Sequence, residues 1–257
     1  MKVLELFAGT ASFSKVATAR GHDCRTVEID PRFSPTYCKD IMDFTIRDLG
    51  DWRPDIIWAS PPCQKFSVMT IYRNWEKLED GSRIPKNEQV LRSIGWVRKA
   101  IDLIRELQPA YYFIENPRAM LRKMSFMGGS DRRTVTYCKY GTPYQKATDI
   151  WTNCESWVSR PVCSNGDPCH ARASRGSKLG LQGVGARDDR VVVPAPLCEE
   201  ILMACEKRPE GYPMKRRSSL HPGDMGGGES HRDPMERGKV PVQLCLEIIE
   251  ACEKVEP

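Results

Sequence analysis

Apolar and polar positions alternate in two different rhythms over the first 153 residues. The runs "KVLELFAG", "CRTVEID", "DIIWAS", "YYFIE", "RTVTYCKYG" and "DIWTN" have the length and β-branched content of buried strands. Between "DIIWAS" and "YYFIE", Val90, Leu91, Ile94, Val97, Ile101, Ile104 and Leu107 recur at steps of three and four, which places one apolar stripe along a long helix. Strands alternating with helices predict an α/β domain over residues 1–153, with a mixed, mostly parallel sheet covered by helices. Beyond Cys154 the periodicity fails and Gly, Ser, Arg and Cys dominate, so residues 154–190 are expected to form a small loop-rich lobe.

The last third contains a repeat. "VPAPLCEEILMACEK" (Val193 to Lys207) and "VPVQLCLEIIEACEK" (Val240 to Lys254) match at Pro194/Pro241, Leu197/Leu244, Cys198/Cys245 and Ile201/Ile248, and both end in Ala-Cys-Glu-Lys. Each copy reads as a helix with proline near its start and one apolar face. Two copies are too few for a solenoid, which needs about three or more. A duplicated docking helix is the simpler reading: we expect a helix over 191–208 that returns to the first domain and a second copy over 240–257, with both copies packing there or one of them peripheral or against a second subunit. The Pro- and Gly-rich stretch 209–239 between them reads as a disordered linker.

Composition narrows the class only modestly. The 257 residues include 39 Lys+Arg against 34 Asp+Glu, a net charge of +5 that permits nucleic-acid binding without requiring it. Eleven cysteines, an odd number at irregular spacing, do not read as a disulfide framework. The start "MKVLELFAG" does not read as a signal peptide, so reduced thiols and an intracellular location are expected. No apolar run approaches the ~20 residues that span a bilayer, so no membrane role is expected.

Chemistry concentrates at the strand ends. "ASPPCQKFS" places Cys63 after two prolines that donate no backbone hydrogen bond. That device stiffens the loop at the carboxyl end of a strand, where open α/β sheets carry their sites. A buried structural cysteine beside a turn is the alternative. "LFAGTASFS" is a small-residue turn between strand and helix, suited either to a ligand near the helix N-terminus or to a plain tight turn. "VEIDP" puts Glu28 where nucleotide-binding α/β folds hold ribose hydroxyls, though a surface carboxylate would read the same way.

Taken in order, "LELFAGTASFS", "VEIDP", Asp40-Ile41, "SPPCQKFS", "FIENP" and "YGTPYQKATDIWTN" resemble the DNA cytosine-5 methyltransferases across Met1 to Asn153, in the compact style of phage and prophage members. The resemblance implies a Rossmann-like S-adenosylmethionine-dependent methyltransferase fold acting on DNA, in a bacterial or phage-infected cytoplasm. It implies Cys63 as the nucleophile that adds to carbon 6 of a flipped-out cytosine, Glu115 as the carboxyl group on N3 and the exocyclic amine, and Lys146 as the base toward O2. For the cofactor, S-adenosylmethionine, it implies Phe7, Ala8, Gly9 and Thr10 at the methionine end and Glu28 on the ribose. Ile29, Asp40 and Ile41 would lie about the adenine, with Pro61 shaping the turn that aims Cys63. Gln64, Ser67, Asn116 and Thr148 would face the nucleic acid.

The chain also departs from the family. Thr10 and Ala11 replace further glycines, and "ENP" replaces "ENV". A motif with two arginines is reduced to Lys146 and Thr148, so a point charge replaces a guanidinium fork. A final asparagine motif has no clear copy, and "VVVP" or "KVP" before the repeated helices is its expected substitute. Target choice is expected in the basic stretch after Cys169, through Arg172, Arg175 and Lys178, unless that stretch is simply a solvated loop. Cys154, Cys163, Cys169 and His170 are the set a zinc ion would use. They lack a paired C-x-x-C knuckle, so thiols without metal are the expectation. Two other functions remain open: cytosine-5 methylation of tRNA, and a catalytically silent DNA-binding relative. A monomer is the simpler expectation.

Overall fold

The computed structural model describes residues 1–164, 166–171 and 191–207. Among these described residues nine strands and four α-helices follow in chain order: β1 (Lys2–Leu6), α1 (Ser12–Ala19), β2 (Asp23–Glu28), β3 (Tyr37–Cys38), β4 (Ile56–Ala59), α2 (Ile71–Asn74), β5 (Trp75–Lys77), β6 (Arg83–Pro85), α3 (Glu88–Leu107), β7 (Tyr111–Pro117), β8 (Asp131–Thr136), β9 (Ala147–Thr152) and α4 (Ala195–Glu206). Seven strands form one sheet in the order β3-β2-β1-β4-β7-β9-β8, and β5 and β6 form a separate hairpin. Pairing is parallel from β3 through β7, while β9 runs antiparallel to both β7 and β8. This is the mixed, mostly parallel α/β sheet expected from the strand–helix alternation. The direction of winding reverses between β1 and β4, and ligands of open α/β sheets bind in the crevice such a reversal leaves.

Alternation within the strands divides the core between the two faces of the sheet. Leu4, Leu6, Ile57, Ala59 and Ile114 face one layer with the α3 stripe, whose Val90, Ile94, Val97, Ile101, Ile104 and Leu107 are all buried. Val3, Ile56, Trp58 and Phe113 face the other, with Phe13 of α1 and Leu197, Ile201 and Leu202 of α4. Phe13 stacks on Trp58 with ring centroids 4.5 Å apart. Helix α3 begins where the Asn87 side chain accepts a hydrogen bond from Val90 N–H and ends at Gln108, which is left-handed at φ 48 just before Pro109.

Helix α4 is the first copy of the repeat, and it returns to the sheet. Glu206 at its end pairs with Arg20 and, at 2.8 Å, with His22 beyond the end of α1. Trp157 and Cys154 are buried in the same layer, and Glu200 of α4 accepts from Trp157 Nε1 at 3.2 Å and from Arg160 Nε at 2.8 Å. The chain just past β9 is therefore tied to α4. The linker 209–239, the second copy 240–257 and the basic residues Arg172, Arg175 and Lys178 lie outside the described residues.

The strand expectations need two corrections. "RTVTYCKYG" is strand only as far as Thr136, and Tyr137–Tyr140 form a 3-10 turn. "KVLELFAG" stops at Leu6 because Phe7 takes a left-handed φ of 57. Strands β3, β5 and β6 are two or three residues long, too short for any apolar alternation to show in the sequence.

Candidate active site

The turn after β1 is built around two acids. Glu5 is 2% exposed on the α1 side of the sheet and accepts from the backbone N–H groups of Ser14 at 2.7 Å and Phe13 at 3.3 Å. It thereby serves the helix N-terminus where Ala11, left-handed at φ 54, offers no side-chain cap. Burial pushes its carboxyl above the usual range, against the pull of these hydrogen bonds. Glu28, at the end of β2, accepts from Gly9 N–H at 2.9 Å, Ile29 N–H at 2.9 Å and Asp30 N–H at 3.1 Å. That fixes one carboxylate against the β1 turn. Gly9 has φ +47, and no heavy atom lies within 4 Å of where a Cβ would stand, so the backbone there borders open space.

The remaining residues expected around the cofactor gather at the same end of the sheet. Ala8 N–H donates to Val27 O at 3.1 Å, and Thr10 Oγ1 lies 3.0 Å from Ser12 Oγ. Ile29 is 60% exposed, as an apolar contact for a flat ring requires, whereas the Ile41 side chain belongs to the core. Asp40 accepts from Met42 N–H at 3.0 Å. Val193, in the "VVVP" stretch before α4, donates its N–H to Ser12 Oγ at 3.3 Å, so this stretch borders the turn that the missing asparagine motif was expected to close.

At the end of β4 the loop holding Cys63 is anchored on several sides. Ser60 N–H extends the ladder to Leu6 O at 3.2 Å, and Asn116 Nδ2 donates to Pro61 O at 3.0 Å. Cys63 O accepts from Phe66 and Ser67 N–H, each at 3.0 Å, and Phe66 is fully buried. Trp75 Nε1 donates to Lys65 O at 2.7 Å, which ties the loop to the β5–β6 hairpin. Gln64 is exposed and its carbonyl accepts from Thr70 Oγ1 at 2.5 Å, while Ser67 Oγ lies 3.2 Å from the same hydroxyl. Two prolines and these bonds leave the Cys63 backbone little freedom.

Neighbouring strands bring the charged groups to that thiol. Glu115 lies on β7, which pairs with β4, and Lys146 immediately precedes β9, which pairs with β7. Lys146 Nζ stands 3.6 Å from Glu115 Oε1 and 4.6 Å from the centre of the Tyr137 ring. Tyr137, fully buried, donates its hydroxyl to Glu115 Oε1 at 2.9 Å. Burial and the adjacent Glu115 hold that phenol well above its ordinary pKa, so it stays a donor. Burial likewise raises the Cys63 thiol. The Lys146 charge works against that rise and Glu115 adds to it, so the thiol feels both charges across the site. Thr148 is fully buried, its hydroxyl 3.5 Å from Lys146 O.

Two elements of this arrangement had no sequence signal. Tyr137 read as one more strand residue, because nothing in a run of alternating residues marks a phenol aimed at a carboxylate. Arg122 pairs bidentately with the fully buried Asp149, at 2.7 and 2.5 Å, and Thr134 Oγ1 adds a third bond to Asp149 at 2.8 Å. Asp149 is in register with Asn116, the residue that holds Pro61 O. A guanidinium fork thus lies behind the site, braced on a carboxylate.

The set of metal-capable side chains is also corrected. Cys154 Sγ is 4.0 Å from Cys205 Sγ and 3.3 Å from Ser156 Oγ, in the α4 layer and apart from Cys163, Cys169 and His170. Cys138 takes its place beside those three. Spacing alone could not show this, because Cys138 arrives from the turn after β8.

Residues 1–126 match the model of the C-5 cytosine-specific DNA methylase family. A DNA (cytosine-5)-methyltransferase of Frog virus 3 (isolate Goorha) is 29% identical over 222 residues, 80% of this chain and 100% of the viral protein. The type II methyltransferase M.AplI of Arthrospira platensis is 31% identical over 128 residues, 47% of this chain and 32% of that protein. Among solved structures, a DNA modification methyltransferase encoded within an E. coli prophage superposes with a TM-score of 0.45 at 19% identity, covering 63% of this chain and 52% of its own. The chain thus spans the whole of the viral relative but only about half of the prophage protein.

Proposed function

Because the chain belongs, through residues 1–126, to the C-5 cytosine-specific DNA methylase family, we propose that it methylates carbon 5 of cytosine in DNA through a covalent adduct on Cys63. The observation that carries this reading is the convergence of Cys63, Glu115 and Lys146 at the ends of adjacent strands, close enough for both charges to act on the thiol.

Carbon 5 of cytosine is a poor nucleophile until a group adds at carbon 6. Cys63 Sγ adds there as the thiolate, and the ring becomes an enamine. Glu115 holds N3 and the exocyclic amine as electron density moves into the ring, and Tyr137 and Lys146 hold Glu115. Lys146 offers its ammonium to O2. After alkylation, carbon 5 gives up its proton to water, the electron pair of that bond re-forms the carbon 5–carbon 6 double bond, the carbon–sulfur bond breaks, and Cys63 leaves as the thiolate. A base stacked in a duplex hides carbon 6, so the target must swing out of the helix. The loop bearing the exposed Gln64, Val68, Met69 and Tyr72 is the surface that would face the vacated stack.

The methyl group would come from S-adenosylmethionine, whose sulfonium supplies an electrophilic carbon when bound. The residues present fit that group: Gly9 leaves backbone bordering open space, Glu28 is a fixed acceptor for ribose hydroxyls, and Ile29 is an exposed apolar face. Phe7, Ala8 and Thr10 complete the turn, with Asp40 nearby. Among the described residues no helix is long and apolar enough to cross a membrane.

The test is to incubate the full chain with S-adenosylmethionine and duplex DNA carrying 5-fluorocytosine, which cannot lose its carbon 5 substituent. A protein–DNA band that survives denaturation is expected with the native chain and not with Cys63→Ala. An equal band from Cys63→Ala, or trapping on fluorinated tRNA in preference to DNA, would overturn the reading.

A further inference from the structure

We propose that Cys138, Cys163, Cys169 and His170 form a structural zinc site that clamps the segment after β9 onto the turn carrying Tyr137. The four ligand atoms lie within 4.8 Å of one another. Cys163 Sγ is 3.3 Å from Cys169 Sγ and 3.4 Å from His170 Nδ1, and Cys169 Sγ is 3.6 Å from that nitrogen. Zn–S bonds of about 2.3 Å and a Zn–N bond of about 2.1 Å place tetrahedral ligands roughly 3.6–3.8 Å apart, so the set is near the required size before any ion enters. All three cysteines are free thiols.

The surroundings are those of a built site and not of cysteines sharing an apolar core. Thr136 Oγ1 accepts from Cys163 N–H at 2.8 Å, and Gln145 Nε2 donates to Cys163 O at 3.4 Å. Lys139 pairs with Asp167 at 2.7 Å, and Asp167 also accepts from Ser164 N–H at 3.1 Å. Ala171 N–H donates to Pro143 O at 2.9 Å. Each bond joins Cys163 or the segment that follows it to the last residue of β8 or to the β8–β9 connection, or holds that segment's own turn. That connection carries Tyr137 at one end and Lys146 at the other, the two groups that hold Glu115.

Three thiolates and an imidazole fill a tetrahedral shell and leave no open position, so the ion would be structural and would take no part in transfer chemistry. Zinc is favoured over magnesium or calcium because the set contains no oxygen ligand. On binding, each cysteine releases its thiol proton and the ion crosslinks residue 138 to residues 163–170. That fixes the described segment as far as Ala171 against the β8–β9 connection.

The full chain, purified without chelator, is expected to hold about one equivalent of zinc by elemental analysis. Cys138→Ser and Cys163→Ser should each lower this by about tenfold, while Cys154→Ser, outside the set, should keep it. Because those variants could fail to fold, the native chain is also loaded with Co2+. Tetrahedral Cys3His coordination should then give intense visible d–d bands and a near-ultraviolet thiolate charge-transfer band. The proposal is overturned if the native chain equilibrated with Zn2+ holds no more metal than Cys138→Ser. It is equally overturned if Co2+ gives only a weak octahedral spectrum, if Cys154→Ser loses the metal, or if thiol counting shows Cys163 and Cys169 joined as a disulfide.

Discussion

Replacing Arg122 with methionine should destabilise the protein beside the strand residue that anchors the Cys63 loop. Asp149 is fully buried and Arg122 supplies two of its bonds, so once the guanidinium is gone the Thr134 hydroxyl is left to hold the carboxylate. Removing one partner of a buried pair costs about 3–5 kcal/mol, because the other charge stays in a medium that cannot solvate it. For a domain of this size, that corresponds to a fall in Tm of roughly 6–20 °C at about 2–4 °C per kcal/mol. Asp149→Asn should cost less, since the Arg122 side chain is 21% exposed and can turn toward water. The double variant should recover part of the loss, with a coupling energy of about 0.5–3 kcal/mol. Urea denaturation of the four proteins at pH 7, followed by tryptophan fluorescence, measures all the terms. Strict additivity, or a loss under about 1 kcal/mol for Arg122→Met, would show that the pair does not brace the sheet in the way a buried ion pair should.

Two further expectations follow from the charges. Burial holds the Cys63 thiol above its ordinary value, so its alkylation by iodoacetamide, read peptide by peptide in a mass spectrometer, should keep accelerating on the alkaline side of the usual thiol range. At fixed pH, Lys146→Met should slow this alkylation and Glu115→Gln should speed it. The reverse order would refute the assignment of the two charges. Glu206, held below the usual carboxylate range chiefly by the Arg20 hydrogen bond, has a folded pKa under its unfolded one. Its stabilisation is therefore present above the unfolded value and is lost as pH falls through the folded one. Glu206→Gln should lower Tm slightly at pH 7, and the difference should close in acid. A gap that widens as the pH drops would contradict the sign.

The amino-acid sequence determined the class of fold, the α3 stripe, the helical pattern of the first repeat, and the positions of Cys63, Glu28 and Glu115 toward strand ends. Each of these rests on local order: apolar periodicity, a pair of prolines, an acid a fixed distance beyond a turn. Tertiary structure alone decided that Tyr137 reaches Glu115, that Arg122 lies against Asp149, and that Cys138 and not Cys154 joins Cys163, Cys169 and His170. These partners come from different strands and turns. Their meeting depends on how β8 and β9 fold back antiparallel beside β7, which places residues far apart in the chain within bonding reach while nothing in the intervening sequence marks the contact.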